Sequence, residues 1–276
     1  MAQSYLTEAI PKKPEPGTKA VNIAAAIVDR IFIYFFALIL LFCLYAIYDA
    51  LMVYREAEVP VEVRRFTSKT ENDKTSEVDF AALKNINDEI IAWIQIDDTD
   101  VDFPVTYTDN NNFYLSHSYT KDYSLAGSIF LDARNAADFS DDYNVIYGHN
   151  MNGEMMFGSL FNFADTDYFN SHQNGRLLTP DVKHELKVIA ALKTDRADGK
   201  IYSIQTLRKE HNAQILDYLK QFAIQTRIDD TDYQKQIIAL STCYDKDGGR
   251  MVIFATYGEL PVAEPAPATA EAPAEN

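Results

Sequence analysis

The spacing of apolar residues changes its period along the chain, and each change marks a different kind of element. From Ile31 to Tyr48 eighteen residues, IFIYFFALILLFCLYAIY, run without a charge. At the helical rise this nearly crosses the hydrocarbon core of a bilayer, and Ala50 to Val53 extend it past Asp49. Ser76 and Asp79 offer N-caps for a short helix whose stripe is Phe80, Leu83 and Ile86. After Ala92 the period becomes that of strands. Eight are expected, near Trp93 to Ile96, Val101 to Val105, Ser128 to Leu131, Asn144 to Gly148, Arg176 to Thr179, Glu185 to Lys193, Gln236 to Thr242 and Met251 to Tyr257. Two helical stretches interrupt them. A short one after Gly153 turns Met156, Leu160 and Phe161 inward, and HNAQILDYLKQFA places Ile215, Leu216, Leu219 and Phe222 on one face. Strands that outnumber helices without alternating regularly with them predict a mainly β fold: a sheet closed into a barrel, with peripheral helices.

This pattern divides the chain into an N-terminal segment (1–30), a membrane-spanning anchor (31–54), a charged stalk (55–75), a folded domain (76–260) and a Pro, Ala and Glu tail (261–276) that has nothing to bury and reads as disordered. A buried helix and a cleaved signal peptide are the other readings of the apolar run. Its lack of a polar face, its start some thirty residues in and its length favour an uncleaved anchor. Lys12, Lys13, Lys19 and Arg30 precede it, which places the N-terminus in the cytoplasm and the folded domain outside the cell, although Arg55, Arg64 and Arg65 follow closely.

Charge sharpens this division. The net charge is -16, and residues 1 to 54 hold four bases and four acids, so the whole excess lies in the later residues. Such a surface repels nucleic-acid phosphates, and a nucleic-acid partner is not expected. The two cysteines cannot make a disulfide framework or a four-cysteine zinc site. Cys43 falls inside the apolar run as a small filler. Cys243 alone belongs to the outer domain, where a solitary thiol is an oxidation liability or a nucleophile.

Cys243 ends one apolar strand and Arg250 opens the next, so an antiparallel hairpin brings thiol and guanidinium to one cleft, where the positive charge favours thiolate and can hold an oxyanion. A buried strand-end cysteine and a solvated turn arginine are the competing reading. A thiol nucleophile needs a proton-handling partner. Among His117, His149, His172, His184 and His211, only His149 in NVIYGHNM directly follows an apolar strand and a glycine; surface or packing roles suit the other four. No HExxH, GxSxG, GxxxxGK[ST] or GxGxxG pattern occurs, and the histidines lack metal-ligand spacing, so no metal site is expected.

These residues carry a family resemblance. An N-terminal anchor followed by WIQIDDTDVDFPV, NNNFYLSHSY, AGSIFLDARN, VIYGHNMNGEMMFGSL and LSTCYDKDGGRMVIFA, in that order, resembles the sortases, cysteine transpeptidases of Gram-positive cell surfaces. More narrowly it resembles class B, whose long insert before the cysteine strand is similar to the stretch containing His211 to Phe222. The match covers residues 76 to 258. The resemblance implies an eight-stranded sortase-type barrel preceded by one transmembrane helix, with Cys243, His149 and Arg250 as catalytic residues and no cofactor. It also implies a groove that includes Asn111, Leu115, Tyr202, Ser241 and Thr242, each of which reads equally well as an ordinary turn, core or strand residue. The implied partners are surface proteins carrying an NPQTN-like sorting signal, cleaved after Thr through a thioester, and an amine of the peptidoglycan precursor lipid II or of a pilin lysine. A hydrolase that cleaves without transfer and a non-enzymatic surface module are the alternatives. Only six residues separate Cys243 from Arg250, a short connection for class B, and the Pro and Ala tail is foreign to that pattern.

Overall fold

A computed structural model describes residues 16–58, 63, 67–69, 76–151, 153–195, 198–204, 212–242 and 249–258. Cys243, His211, most of the expected stalk and the tail from 261 lie outside the described residues, as does the start of the N-terminal segment. Two compact units divide the chain between Met52 and Val53.

The first unit is helical. Helix α1 (Pro16–Ala57) carries the apolar run, and Phe36, Leu38, Leu41 and Phe42 stand exposed on it together with Cys43. It is long and apolar enough to cross a membrane.

Among the described residues the second unit has eleven strands: β1 (Thr67–Lys69), β2 (Ser76–Val78), β3 (Ile90–Ile96), β4 (Asp102–Thr106), β5 (Ile129–Leu131), β6 (Tyr143–Gly148), β7 (Asn174–Leu178), β8 (Lys183–Asp195), β9 (Gln225–Thr226), β10 (Gln236–Thr242) and β11 (Gly249–Tyr257). β1 and β2 form a separate antiparallel pair. The others form one sheet in the order β11-β10-β6-β5-β4-β3-β7-β8-β9, and a second pairing of β11 with β8 closes eight of them into a barrel, with the two-residue β9 appended to β8. Eight expected strands are therefore the eight barrel strands, found within a few residues of their expected ends.

The strands read as almost continuous apolar runs because both of their faces are covered. Ile238 and Leu240 of β10, Ile146 of β6 and Met251, Ile253 and Ala255 of β11 fill the interior. Their neighbours Ile237, Ala239, Tyr143, Val145, Val252 and Phe254 belong to an outer cluster. That cluster is covered by helix α4 (Gly199–Tyr202), Ile204 and helix α5 (Asn212–Phe222). In α5 the residues Ile215, Leu216 and Leu219 are buried, but Phe222 is 53% exposed and the expected inward face stops one turn earlier. The chain leaves the helix at Ala223 for β9, and the Phe222 ring lies beside that of Tyr218 at the exposed end of α5.

The remaining helices are short. α2 (Phe80–Ile86) is capped by Asp79, whose Oδ1 accepts the Ala82 N–H at 2.9 Å, whereas Ser76 belongs to β2; Leu83 is buried and Ile86 is 38% exposed. The helical turn expected after Gly153 is a 3₁₀ helix, Gly158–Ala164, that buries Leu160 and Phe163 and half-buries Phe161. α3 (Thr166–Ser171) follows it. Near the start of the unit, Ala57 and Val63 are buried in the same core as the barrel interior.

Candidate functional site

The site is built at one end of three neighbouring strands. β6 and β10 are parallel, with Gly148 opposite Thr242 and Tyr147 opposite Ser241. β11 runs antiparallel to β10, with Ser241 opposite Val252. Two strands that end side by side and a third that begins there bring the last residues of β6 and β10 and the first of β11 to one edge of the barrel. His149 is the next residue after Gly148, and Arg250 is the second residue of β11.

His149 is held by its Nε2, 2.7 Å from the Leu115 carbonyl oxygen. A carbonyl only accepts, so Nε2 carries the hydrogen and Nδ1 is the ring nitrogen left for proton transfer. The absence of a side chain at Gly127 lets the imidazole sit this close. Gly127, at φ +61°, lies where a Cβ would meet the Tyr114 carbonyl at 2.7 Å, the His149 ring carbon Cδ2 at 2.8 Å and the Leu115 carbonyl at 3.0 Å. Gly148 lies where a Cβ would collide with Ile129 Cδ1 and meet the Phe157 ring at 2.7 Å. The chain after His149 folds back, with Phe157 N–H donating to the His149 carbonyl at 3.0 Å and Asn150 bridging Met156. Glu154 and Met156 take positive φ angles in this turn, a conformation that costs energy for residues with a Cβ.

The Arg250 guanidinium lies over two tyrosine rings, 5.2 Å from the centroid of Tyr202 and 6.0 Å from that of Tyr147. The rings themselves are stacked, with centroids 6.4 Å apart. The Tyr202 hydroxyl lies 2.9 Å from Ser241 Oγ, which ties the insert to β10. Burial pushes the phenol of Tyr202 above its ordinary value, against the pull of the Ser241 hydrogen bond and Arg250, so it stays neutral and packs as a flat surface under the cation.

The groove residues suggested by the sequence fall into two groups. Leu115, Tyr202 and Ser241 sit around His149 and Arg250 through the contacts above. Thr242 is fully buried with its Oγ1 accepting the Met251 N–H at 2.9 Å, and Asn111 bonds inward, accepting the Ala133 N–H at 2.7 Å and donating to Asp132 at 3.0 Å. His117 stacks on Phe113 and His172 on Tyr168, while His184 meets the ring edge of Tyr257, so these three pack against aromatic rings. Tyr147 is the residue that sequence reasoning missed. Its only signal was its place two residues before His149, on the same face of the strand.

Known proteins resemble this chain in sequence and in fold. The family model described as the sortase domain matches residues 94–257. Sortase B of Listeria monocytogenes is 34% identical over 177 residues, covering 62% of this chain and 70% of the relative. Among solved structures, a Streptococcus pyogenes class B sortase involved in pilus biogenesis aligns with a TM-score of 0.60 and 34% identity over 66% of this chain and 98% of its own. A Staphylococcus aureus sortase B-substrate complex aligns with a TM-score of 0.59 and 26% identity over 66% of this chain and 85% of its own. The chain belongs to the sortase family of cysteine transpeptidases, and within that family its relatives place it in class B. The reading as a non-enzymatic surface module is thereby overturned.

Proposed function

We propose that this sortase cleaves an NPQTN-like C-terminal sorting signal after its threonine, holds the acyl group as a thioester on Cys243 and transfers it to an amine. The parallel pairing of Gly148 with Thr242 carries this reading. The residues that follow these two in sequence are His149 and Cys243. Each therefore lies one peptide step, about 3.8 Å from Cα to Cα, from a strand end that is paired with the other's, which supports the reading that thiol and imidazole act together. Residues 237, 239 and 241 of β10 and 143, 145 and 147 of β6 face the insert, and in the sequence 149 and 243 are the next positions in that two-residue count.

In this reading the Cys243 thiolate attacks the threonine carbonyl, and Arg250, seated on its two tyrosines, stabilises the oxyanion. His149 gives a proton from Nδ1 to the leaving amine as the tetrahedral intermediate collapses. It then takes one from the incoming amine as that amine forms a new amide bond and displaces the sulfur as thiolate. The thioester conserves the energy of the cleaved bond, so no further energy source is required. The acceptor is an amine of the peptidoglycan precursor lipid II. A pilin lysine is the second reading, favoured by the S. pyogenes relative involved in pilus biogenesis. The α1 helix anchors the enzyme with its N-terminus in the cytoplasm and the barrel outside, on the strength of Lys12, Lys13, Lys19 and Arg30 before the apolar run.

The test uses the full chain in detergent with a library of NPxTx peptides and candidate amines, read by mass spectrometry. An acyl adduct at Cys243 that passes to the amine, and is lost in Cys243→Ala, is expected. The absence of any adduct with the whole library refutes the reading.

A further inference from the structure

Behind the two tyrosines lies a carboxylate with no solvent exposure, Asp132. Five donors converge on it. Oδ1 accepts the Arg134 backbone N–H at 2.9 Å and the Arg134 Nε at 2.8 Å. Oδ2 accepts Arg134 Nη2 at 2.7 Å, Asn111 Nδ2 at 3.0 Å and the Tyr147 hydroxyl at 3.0 Å. Arg134 in turn reaches the insert, its Nη1 donating to the Tyr202 carbonyl at 3.3 Å. The ion pair thus grips both rings that lie under Arg250, Tyr147 by its hydroxyl and Tyr202 by its backbone. It also grips the loop of Asn111 ahead of Leu115, whose carbonyl holds His149. Burial opposes ionisation of Asp132, but the hydrogen bonds and charge of Arg134 outweigh it and hold the carboxyl below its ordinary value. An ion pair with a buried, fully bonded carboxylate and a partly exposed guanidinium is weak grounds for stability and better grounds for fixing one arrangement of its neighbours.

We propose that the Asp132–Arg134 pair is the positioning centre of the active site, setting the stacked Tyr147 and Tyr202 rings so that the Arg250 guanidinium is aimed at the developing oxyanion. The pair does not touch the substrate. It acts through the aromatic seat, and a loosened seat leaves Arg250 present but misdirected when the tetrahedral intermediate forms. The inference rests on the reading that Cys243 is the nucleophile and Arg250 its oxyanion partner.

The test is a set of variants of the full chain: Tyr147→Phe, which keeps the ring and removes only the hydroxyl, Asp132→Asn, Arg250→Lys and the doubles with Arg250→Lys. They are assayed with an NPQTN peptide and hydroxylamine as acceptor. Tyr147→Phe should lower kcat about 3- to 10-fold, the worth of one hydrogen bond, with KM little changed. Asp132→Asn, where it folds, should lower kcat more. Alkylation of Cys243 by iodoacetamide forms no oxyanion, and its rate should stay within about twofold of the parent for Tyr147→Phe. In the Arg250→Lys background the Tyr147→Phe loss should shrink toward none, because the group being aimed is already gone. An additive loss in that background, an unchanged kcat in Tyr147→Phe, or a parallel fall in alkylation overturns the proposal. Failure of the underlying mechanism gives a different result, activity that survives Cys243→Ala.

Discussion

The backbone of Gly127 sits against both the acceptor carbonyl and the ring of His149, so Gly127→Ala tests how closely that histidine is held. A Cβ there would stand 2.7 Å from the Tyr114 carbonyl, 2.8 Å from His149 Cδ2 and 3.0 Å from the Leu115 carbonyl. The Tyr114 carbonyl already accepts the Ser128 N–H at 2.9 Å and has little freedom, so the imbalance falls on the imidazole. Holding alanine at a positive φ costs about 1–2 kcal/mol. The contacts add about 1–3 kcal/mol of overpacking. The smaller entropy of the unfolded chain returns about 0.4–1 kcal/mol. The net loss of about 1–5 kcal/mol should lower Tm by about 2–20 °C for a domain of this size. A ring displaced by a few tenths of an ångström from the Leu115 carbonyl should cost kcat about 10- to 100-fold. Gly153→Ala is the matched control: it has φ +78° but nothing within 4 Å of the added Cβ, so it shares the backbone cost without the clash. Differential scanning fluorimetry and the peptide–hydroxylamine assay read both quantities. The reasoning is refuted if Gly127→Ala keeps full kcat, or if the two variants lose activity equally.

Three further outcomes follow from packing and charge. Lys187 donates to Asp229 at 2.6 Å and to the fully buried Asp232 at 3.1 and 3.2 Å. Because the lysine is partly exposed, Lys187→Met should cost about 1–3 kcal/mol, less than a fully buried pair, and a chemical-denaturation midpoint equal to the parent's would contradict this. Burial holds the His184 imidazole below its ordinary value, so the unfolded chain protonates first as pH falls. Its contribution to stability is complete above the ordinary value of 6.5 and is lost as pH drops below it; Tm should fall between pH 7.5 and 5.5, and His184→Gln should flatten that slope. Leu219→Ala should destabilise by about 2–5 kcal/mol while Phe222→Ala stays within about 0.5 kcal/mol, one turn apart on the same helix, and equal losses would mean that Phe222 is covered in solution.

What the sequence shows and hides follows the range of each interaction. The strands of the barrel were legible because an apolar run covered on both faces leaves a local signature, and Asp79 announced its helix because a cap bonds three residues away. Phe222 misled because periodicity counts apolar residues on a face without knowing where the covering layer ends. Asp132 gave no signal as an organiser of the site, since its partners Asn111 and Tyr147 are brought to it only by the pairing of β5 with β6 and the loop before β5. Gly127 looked like any turn glycine. Its meaning depends on two carbonyls and a ring carbon contributed from outside its own segment.

The phase of the site is set by residues with no chemistry of their own. In β10, Ile238 and Leu240 point into the barrel while Ile237, Ala239 and Ser241 point toward the insert. A slip of one residue in the pairing with β6 would send two large apolar side chains out of the core and exchange the faces of Ser241 and Thr242. It would also part Ser241 from the Tyr202 hydroxyl. Such a slip is opposed on both flanks, by the parallel register that ends at Gly148 and Thr242 and by the antiparallel register with β11. Parallel neighbours cannot be joined by a tight turn, so the chain between β6 and β10 must travel, and it uses that length to form β7, β8 and the helices that cover the outer face of the site. The whole stretch from β6 to β10 is therefore the crossover that the parallel pair requires, and the insert within it supplies Tyr202 as part of the seat under Arg250.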